Sequence, residues 1–179
     1  MSWSRALCVV AVALSLGACG FRPLYGTSSG AEESAVLQRL AAVDVAIIPD
    51  RSGQLLRNEL HDLLNPGHLK VPETYRLEAL VDEDEQDVAL ESSGFATRTA
   101  VRLTARFQLI DSTSGAQLLS SKTRVVSTFN IISNKYSTVV AGESARERGI
   151  RQIAQEIRQR LAVYFAQNKD PAVAGLDKT

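Results

Sequence analysis

The feature that most constrains this chain is an alternation of apolar and polar side chains within residues 97–111, which is strict from Val101 to Leu109. The apolar set is Val101, Leu103, Ala105, Phe107 and Leu109. The polar set is Arg98, Arg102, Thr104, Arg106 and Gln108. Because successive residues of a strand point to opposite faces, the alternation predicts a strand with one buried and one polar face. Turn residues at 111–115 then predict a hairpin to a partner strand over residues 116–132.

Two further strands are predicted nearer the N-terminus. Residues 42–49 alternate through Val43, Val45 and Ile47 and end at a proline, and residues 74–85 show the same two-residue period. Runs of this length and spacing are typical of strands with one face on a core.

Two helices are predicted from apolar residues recurring at intervals of three and four. The first begins at Asp50 or Ser52, either of which could cap its first turn, and ends near residue 64. The second covers about residues 139–165, and its apolar stripe is Ile150, Ile153, Ile157, Leu161 and Tyr164. Gly149 lies within it at a cost of about 1 kcal/mol relative to alanine, which close packing against the sheet would explain.

The element order β-α-β-β-β-α predicts an α+β fold. We expect a two-layer sandwich in which a four-stranded, mostly antiparallel sheet carries both helices on one face. The chain has 179 residues, with 20 basic and 20 acidic side chains. That length suits one domain, predicted at residues 34–168 and followed by a flexible tail at 169–179. With zero net charge, no global field favours nucleic acid as a partner.

The N-terminal leader has the composition of a secretion signal. Arg5 precedes an uninterrupted apolar run at residues 6–16. A helix of these eleven residues would span about 16 Å, whereas the apolar core of a bilayer is about 30 Å thick. The run is therefore too short for a transmembrane helix, and residues 1–18 are predicted to be a cleaved signal peptide.

Cys19 is predicted to carry a lipid. It directly follows the small residues Gly17 and Ala18, a pattern typical of lipoprotein cleavage sites. Since Cys8 lies in the leader, Cys19 is the only cysteine of the predicted mature chain, and acylation would account for an unpaired thiol in an oxidising compartment. The alternative is an ordinary signal peptide with a cysteine beside its cleavage site. Gly20, in place of an aspartate, favours the outer membrane over the inner one.

A lipidated N-terminus and tether are predicted at residues 19–33, because residues 26–33 are polar and rich in glycine and serine. The predicted mature chain begins Cys-Gly-Phe-Arg-Pro-Leu-Tyr-Gly at residues 19–26. This start resembles that of the LptE family of lipopolysaccharide-assembly lipoproteins. Weaker similarities lie at residues 53–60 (GQLLRNEL), 129–137 and 145–148 (ARER), so that the resemblance covers nearly the whole mature chain.

The resemblance implies a place and a function. Members of the LptE family lie at the outer membrane and occupy the lumen of the large β-barrel protein LptD, with which they deliver lipopolysaccharide to the outer leaflet. The lipoprotein acts as a plug, an assembly partner and a lipopolysaccharide-binding component. By this resemblance the chain is expected to be lipid-anchored in the outer membrane, with its domain on the periplasmic side or within the barrel lumen.

Two sets of residues are predicted to form contacts. Phe21, Leu24 and Tyr25 would be poorly placed in water beside the lipid, so we expect them at the barrel wall or the membrane interface. The alternative is that they cover the edge of the domain's own core.

The second set is a ladder of basic residues, Arg98, Arg102, Arg106, Lys122 and Arg124. Pairing of Arg102 with Arg124, and of Thr104 with Lys122, would gather all five on one face of the sheet. Cations about 5 Å apart repel unless an anion balances them, and the phosphates of lipid A or of the core sugars would suit arginine. The alternative is that the acidic run at residues 82–87 neutralises the ladder.

No sequence feature argues for catalysis, a metal or a cofactor. The run at 82–87 lacks the glycine and spacing of a calcium-binding loop, and His61 and His68 have no cysteine nearby to complete a zinc site. No serine lies in a nucleophile elbow. The competing hypotheses are a scaffold lipoprotein of another envelope complex and, with less support, a lipid-anchored hydrolase.

Overall fold

The computed structural model describes residues 30–90, 96–131 and 134–168. The chain divides into two units between Glu33 and Ser34, and the second unit contains the fold. The elements are α1 (Gly30–Ala41), β1 (Val43–Val45), α2 (Asp50–Leu64), β2 (Tyr75–Leu90), β3 (Ala96–Asp111), β4 (Gln117–Asn130) and α3 (Lys135–Gln167). None of the helices within the described ranges has the length and apolar character needed to cross a membrane.

The four strands form one sheet in the order β1-β2-β3-β4. β1 is parallel to β2, and the other neighbours are antiparallel. Two parallel neighbours cannot be joined by a tight turn, and α2 lies in the connection between them. The predicted α+β class with a mostly antiparallel four-stranded sheet is confirmed.

The core lies between one face of the sheet and the helices α2 and α3. The apolar residues of β3 are almost completely buried there, as their alternation predicted. From α3 the core receives Ile150, Ile153, Ile157, Leu161 and Phe165. From α2 it receives Leu56, Leu60 and Leu64.

The start of the domain differs from the prediction in two ways. The helix α1 was not predicted, and it begins at Gly30, within the stretch assigned to the tether. Among residues 33–41 of α1, whose burial is described, Leu40 is the only large side chain that is fully buried. This part of the helix therefore buries little of an apolar stripe. β1 has three residues instead of the predicted eight, because the alternation of inward and outward side chains breaks after Val45. Ile47, predicted to point inward, is 86% exposed, whereas Ile48 is buried.

The predicted helix cap is also wrong. The residue before α2 is Pro49, which makes no side-chain cap, and Asp50 is the first helical residue with a φ of 66°. The hydroxyl of Ser52 instead donates a hydrogen bond of 2.6 Å to Oε2 of Glu83 in β2. This side chain therefore joins α2 to the sheet.

Candidate ligand-binding face

The face of the sheet opposite α2 and α3, here called the outer face, carries the predicted basic residues. The strand register arranges the outer-face side chains in rows that run across β2, β3 and β4. Four of these rows are Glu78–Gln108–Ser120, Leu80–Arg106–Lys122, Asp82–Thr104–Arg124 and Asp84–Arg102–Val126. Opposite side chains in such a row lie about 5 Å apart, so every member can touch its neighbour.

The predicted pairing of β3 with β4 is wrong by two residues. Arg102 lies opposite Val126, not Arg124, and Thr104 lies opposite Arg124, not Lys122. A shift of two residues keeps every side chain on its face. Arg98, Arg102, Arg106, Lys122 and Arg124 therefore share the outer face, although the only directly opposed cations are Arg106 and Lys122.

The acidic strand β2 neutralises two of the five cations. Arg102 forms a salt bridge of 3.0 Å with Asp84, and Arg106 forms one of 2.8 Å with Asp82. The second guanidinium nitrogen of Arg102 donates to Gln86 at 3.0 Å. The alternative prediction, that the acidic run at residues 82–87 neutralises the basic ladder, thus holds for Arg102 and Arg106 of β3.

The two cations on β4 are in a different position. Lys122 and Arg124 are exposed, and neither forms a salt bridge with any of the described carboxylates. β4 is separated from the acidic strand by β3, and its other edge has no neighbouring strand within the described residues. A pair of adjacent cations without a partner is the part of the ladder best able to bind an anion.

The acidic run at residues 82–87 lies in β2, and each of its residues is exposed. Because the run is part of a strand, its alternate side chains point to opposite faces of the sheet. On the helix face, Glu83 and Glu85 bind Arg146 of α3 at 2.5 and 3.0 Å, and Asp87 accepts a hydrogen bond of 2.8 Å from Thr99. Because residues 74–85 were predicted to form a strand, the alternation of side chains along a strand could have revealed this split.

A broad depression of about 810 Å³ crosses the outer face at its β1 end. On its β1 and β2 side the depression is lined by residues that include Ile47 and Leu80, and on its β3 and β4 side by residues that include Arg106 and Lys122. Leu80 is 52% exposed. The depression therefore combines an apolar side with a cationic side.

The turn between β3 and β4 contains the clearest electrostatic perturbation. The pKa of the Asp111 carboxyl is lowered from its ordinary 3.8, chiefly because the backbone N–H of Ser114 donates to it. The hydroxyl of Ser114 and the N–H of Thr113 donate to the same oxygen, at 3.0 and 2.9 Å. These bonds favour the charged carboxylate and fix the hairpin that sets the strand register.

The remaining predicted contact residues lie outside the described part of the chain. This concerns Cys19, Phe21, Leu24 and Tyr25, whose lipidation and contacts stay predictions. Within the described ranges, no group of three or more His, Cys, Asp or Glu side chains is arranged to hold a metal ion.

Comparison with known proteins gives a family match and several similar folds. The model of a lipopolysaccharide-assembly family, LptE, matches residues 40–162. No curated protein sequence matches the chain.

Solved structures of three lipoproteins resemble the fold. One from Caulobacter crescentus is 26% identical, with a TM-score of 0.62, and the match covers 75% of this chain and 98% of that one. The rare lipoprotein B of Shewanella oneidensis is 13% identical, with a TM-score of 0.54, over 70% and 96% of the two chains. Lipoprotein B of Nitrosomonas europaea is 14% identical, with a TM-score of 0.52, over 75% and 86%.

Proposed function

Because this chain belongs to the LptE family of lipopolysaccharide-assembly proteins, we propose that it is an outer-membrane lipoprotein that plugs an LptD-type β-barrel and takes part in inserting lipopolysaccharide into the outer leaflet. In this proposal the chain is a non-catalytic component of the translocon. It helps the barrel to assemble, and it offers a surface to which lipopolysaccharide binds.

The proposed membrane attachment depends on Cys19. Each buried methylene of an acyl chain contributes about 0.8 kcal/mol, and a single chain anchors a protein only weakly. Several acyl chains on Cys19 would hold the domain at the membrane. The residues between Cys19 and Ser34 would link these acyl chains to the domain. Mass spectrometry of the native protein is the test: a free thiol on Cys19, or a retained leader, would contradict this attachment.

The observation that carries the proposed ligand contact is the pair Lys122 and Arg124. Their side chains share the outer face and have no acidic partner in the described structure, whereas Arg102 and Arg106 already bind aspartates. Lipopolysaccharide carries phosphates, which bind arginine and lysine through charge-assisted hydrogen bonds. We therefore place the main phosphate contact on β4.

The test is the affinity of the purified lipoprotein for lipopolysaccharide. The double substitution Lys122→Ser and Arg124→Ser should weaken binding about thirtyfold, since each of the two lost charge-assisted contacts contributes on the order of 1 kcal/mol. The matched control is Lys70→Ser with Arg148→Ser, which removes two exposed cations outside the sheet and should leave the affinity unchanged. Equal affinities for the two double variants would reject the β4 site.

The proposed partnership with the barrel has its own test. Depletion of the protein in its native bacterium should leave an LptD-type barrel immature and reduce lipopolysaccharide at the cell surface. Co-purification of the lipoprotein with a large β-barrel protein separates this proposal from that of a scaffold for another envelope complex. A different stable partner, together with normal surface lipopolysaccharide after depletion, would favour the scaffold.

A further inference from the structure

The depression on the outer face has two chemically different sides. Leu80, Arg106 and Lys122 form one row across the sheet, and adjacent strands are about 4.8 Å apart. The backbone at Leu80 therefore lies roughly 10 Å from the backbone at Lys122, two strands away. Ile47, the most exposed large apolar residue of the described chain, lies just after β1 and extends the apolar side beyond the end of that strand.

The carboxylate within the depression is already neutralised. Glu78 binds Arg76 at 3.4 Å and accepts a hydrogen bond of 2.9 Å from Gln108. Arg106 is bound to Asp82, which leaves Lys122 as the cation that faces the depression without a salt bridge to a described residue. An anion that entered from the β4 side would thus meet an unpaired positive charge.

A volume of about 810 Å³ falls in the range of about 300–1,000 Å³ that is usual for small-molecule sites. Single exposed apolar residues are common on protein surfaces and need no explanation. Here, however, Ile47 and Leu80 line one concave surface together with Ala46 and Pro49, next to a free cation. A purely polar ligand would gain nothing from that apolar side.

We propose that this depression binds the lipid end of lipopolysaccharide, with a lipid A phosphate at Lys122 and part of an acyl chain along Leu80 and Ile47. The inference rests on the proposed function and deepens it, because phosphates of the core sugars would use the same cations but not the apolar side. The occupant is thus one anionic, acylated ligand that spans both sides of the depression.

Two probes that differ only in their acyl chains test the assignment. They are purified lipopolysaccharide and the same material after complete deacylation, which retains its sugars and phosphates. The full lipoprotein should bind the intact form at least about tenfold more tightly, because burial of a few methylenes on Leu80 and Ile47 suffices for that factor. Equal affinity for the two forms would overturn the assignment.

The double substitution Ile47→Ser and Leu80→Ser should remove most of this preference while leaving the affinity for deacylated material unchanged. Both side chains are exposed, so the thermal unfolding midpoint should stay close to that of the native protein. The matched control is Leu69→Ser with Val163→Ser, two half-exposed apolar residues outside the depression, and it should keep the preference. Loss of the preference in the control instead would also overturn the assignment.

The outcomes separate this inference from the proposed function. If Lys122→Ser with Arg124→Ser weakens binding while Ile47→Ser with Leu80→Ser does not, the β4 phosphate contact stands and the acyl contact is wrong. If neither double variant binds lipopolysaccharide more weakly than the native protein, the β4 phosphate contact and the acyl contact are both wrong. Equal affinity for phosphatidylglycerol vesicles and lipopolysaccharide would contradict the assignment in another way, by indicating a general anionic lipid surface.

Discussion

Gly149 of α3 packs directly against Leu103 of β3, so closely that a Cβ atom on the glycine would lie 2.5 Å from Cδ1 of the leucine. The same Cβ would lie 3.2 Å from Oγ of Ser127 on β4. Leu103 is completely buried and therefore has little room to move aside. The absence of a side chain at residue 149 lets the helix approach both β3 and the edge strand β4.

Substitution of Gly149 by alanine is expected to destabilise the fold. Alanine gains about 1 kcal/mol of helix propensity, but overpacking of a well-packed core costs about 1–3 kcal/mol. The contact with Leu103 is severe enough to place the cost at the upper end, so we expect a net loss of about 1–2 kcal/mol. Urea unfolding of the two proteins measures it.

Gly142 supplies the matched control on the same helix. A Cβ there would meet the ring of Phe129 at 3.3 Å, a looser contact with a half-buried side chain that can shift. Gly142→Ala should therefore be close to neutral, because the gain in helix propensity offsets the mild crowding. A larger loss for Gly142→Ala than for Gly149→Ala would contradict this account of the interface.

Arg146 is expected to be the most important cation for stability among the ion-paired residues described here. It binds Glu83 at 2.5 Å and Glu85 at 3.0 Å, and the side chains of Arg146 and Glu83 are 22% and 24% exposed. Arg146→Ala would leave two carboxylates side by side, one of them mostly covered. We expect a loss of about 1–3 kcal/mol in the free energy of unfolding, less than for a fully buried pair because solvent screens these charges.

The comparison for Arg146 is Arg102→Ala on the outer face. Arg102 and Asp84 form their salt bridge with both side chains more than a third exposed, so its loss should cost no more than about 1 kcal/mol. Thermal or urea unfolding of both variants at low and high salt measures the difference. Similar losses for the two variants would mean that burial on the helix face does not strengthen the Arg146 cluster.

The sequence predicted the faces of the sheet better than the pairing of its strands. The alternation in β3 was enough to separate Leu103 from Arg102, because the two-residue period depends only on the backbone of one strand. The register with β4 depends also on the turn and on a bulge at which Ile110 pairs with Gln117 and Leu109 pairs with Leu119. A bulge inserts one residue without changing the composition of either strand, so the pattern gave no sign of it.

The ion pairs of the acidic strand could be predicted only in part. Neutralisation of Arg102 and Arg106 by residues 82–87 followed from the neighbouring strands. The partner of Glu83 could not be predicted, because Arg146 is 63 residues away along the chain and reaches it only when α3 lies across the sheet. Contacts between distant elements depend on tertiary packing, which local patterns do not contain.

Arg39 is expected to fasten α1 to the domain. Its guanidinium donates to the hydroxyl of Tyr75 at 3.1 Å and to the carbonyl oxygens of Phe165 and Asn168 at 3.0 and 2.6 Å, and it lies 4.5 Å from the ring centre of Phe165. Lysine keeps the positive charge but lacks the planar guanidinium, whose separate nitrogens donate these hydrogen bonds at the same time. Arg39→Lys should therefore cost about 1–3 kcal/mol and speed hydrogen exchange in the last turn of α3.

The control for Arg39 is Arg158→Lys. Arg158 makes a single side-chain hydrogen bond, of 3.1 Å, to the carbonyl oxygen of Leu63, which a lysine can replace. Unfolding of this variant should be nearly that of the native protein. If Arg39→Lys is equally mild, the fork is not what holds α1 in place.

Asp111 makes the β3–β4 hairpin sensitive to acid. Its folded-state pKa is below the ordinary 3.8, so the bonds from Ser114 and Thr113 favour the carboxylate. A group whose pKa is lowered by folding contributes stability that is fully present above its unfolded pKa and is lost as the pH falls through its folded pKa.

The substitution Asp111→Asn keeps an acceptor oxygen but removes the charge. The native protein should therefore be more stable than this variant at neutral pH. The difference in stability should shrink as the pH falls below 3.8. An NMR titration of the Asp111 carboxyl, combined with urea unfolding at neutral and acid pH, measures both quantities. A carboxyl that titrates above 3.8, or a stability difference that grows in acid, would show that the turn does not prefer the charged form.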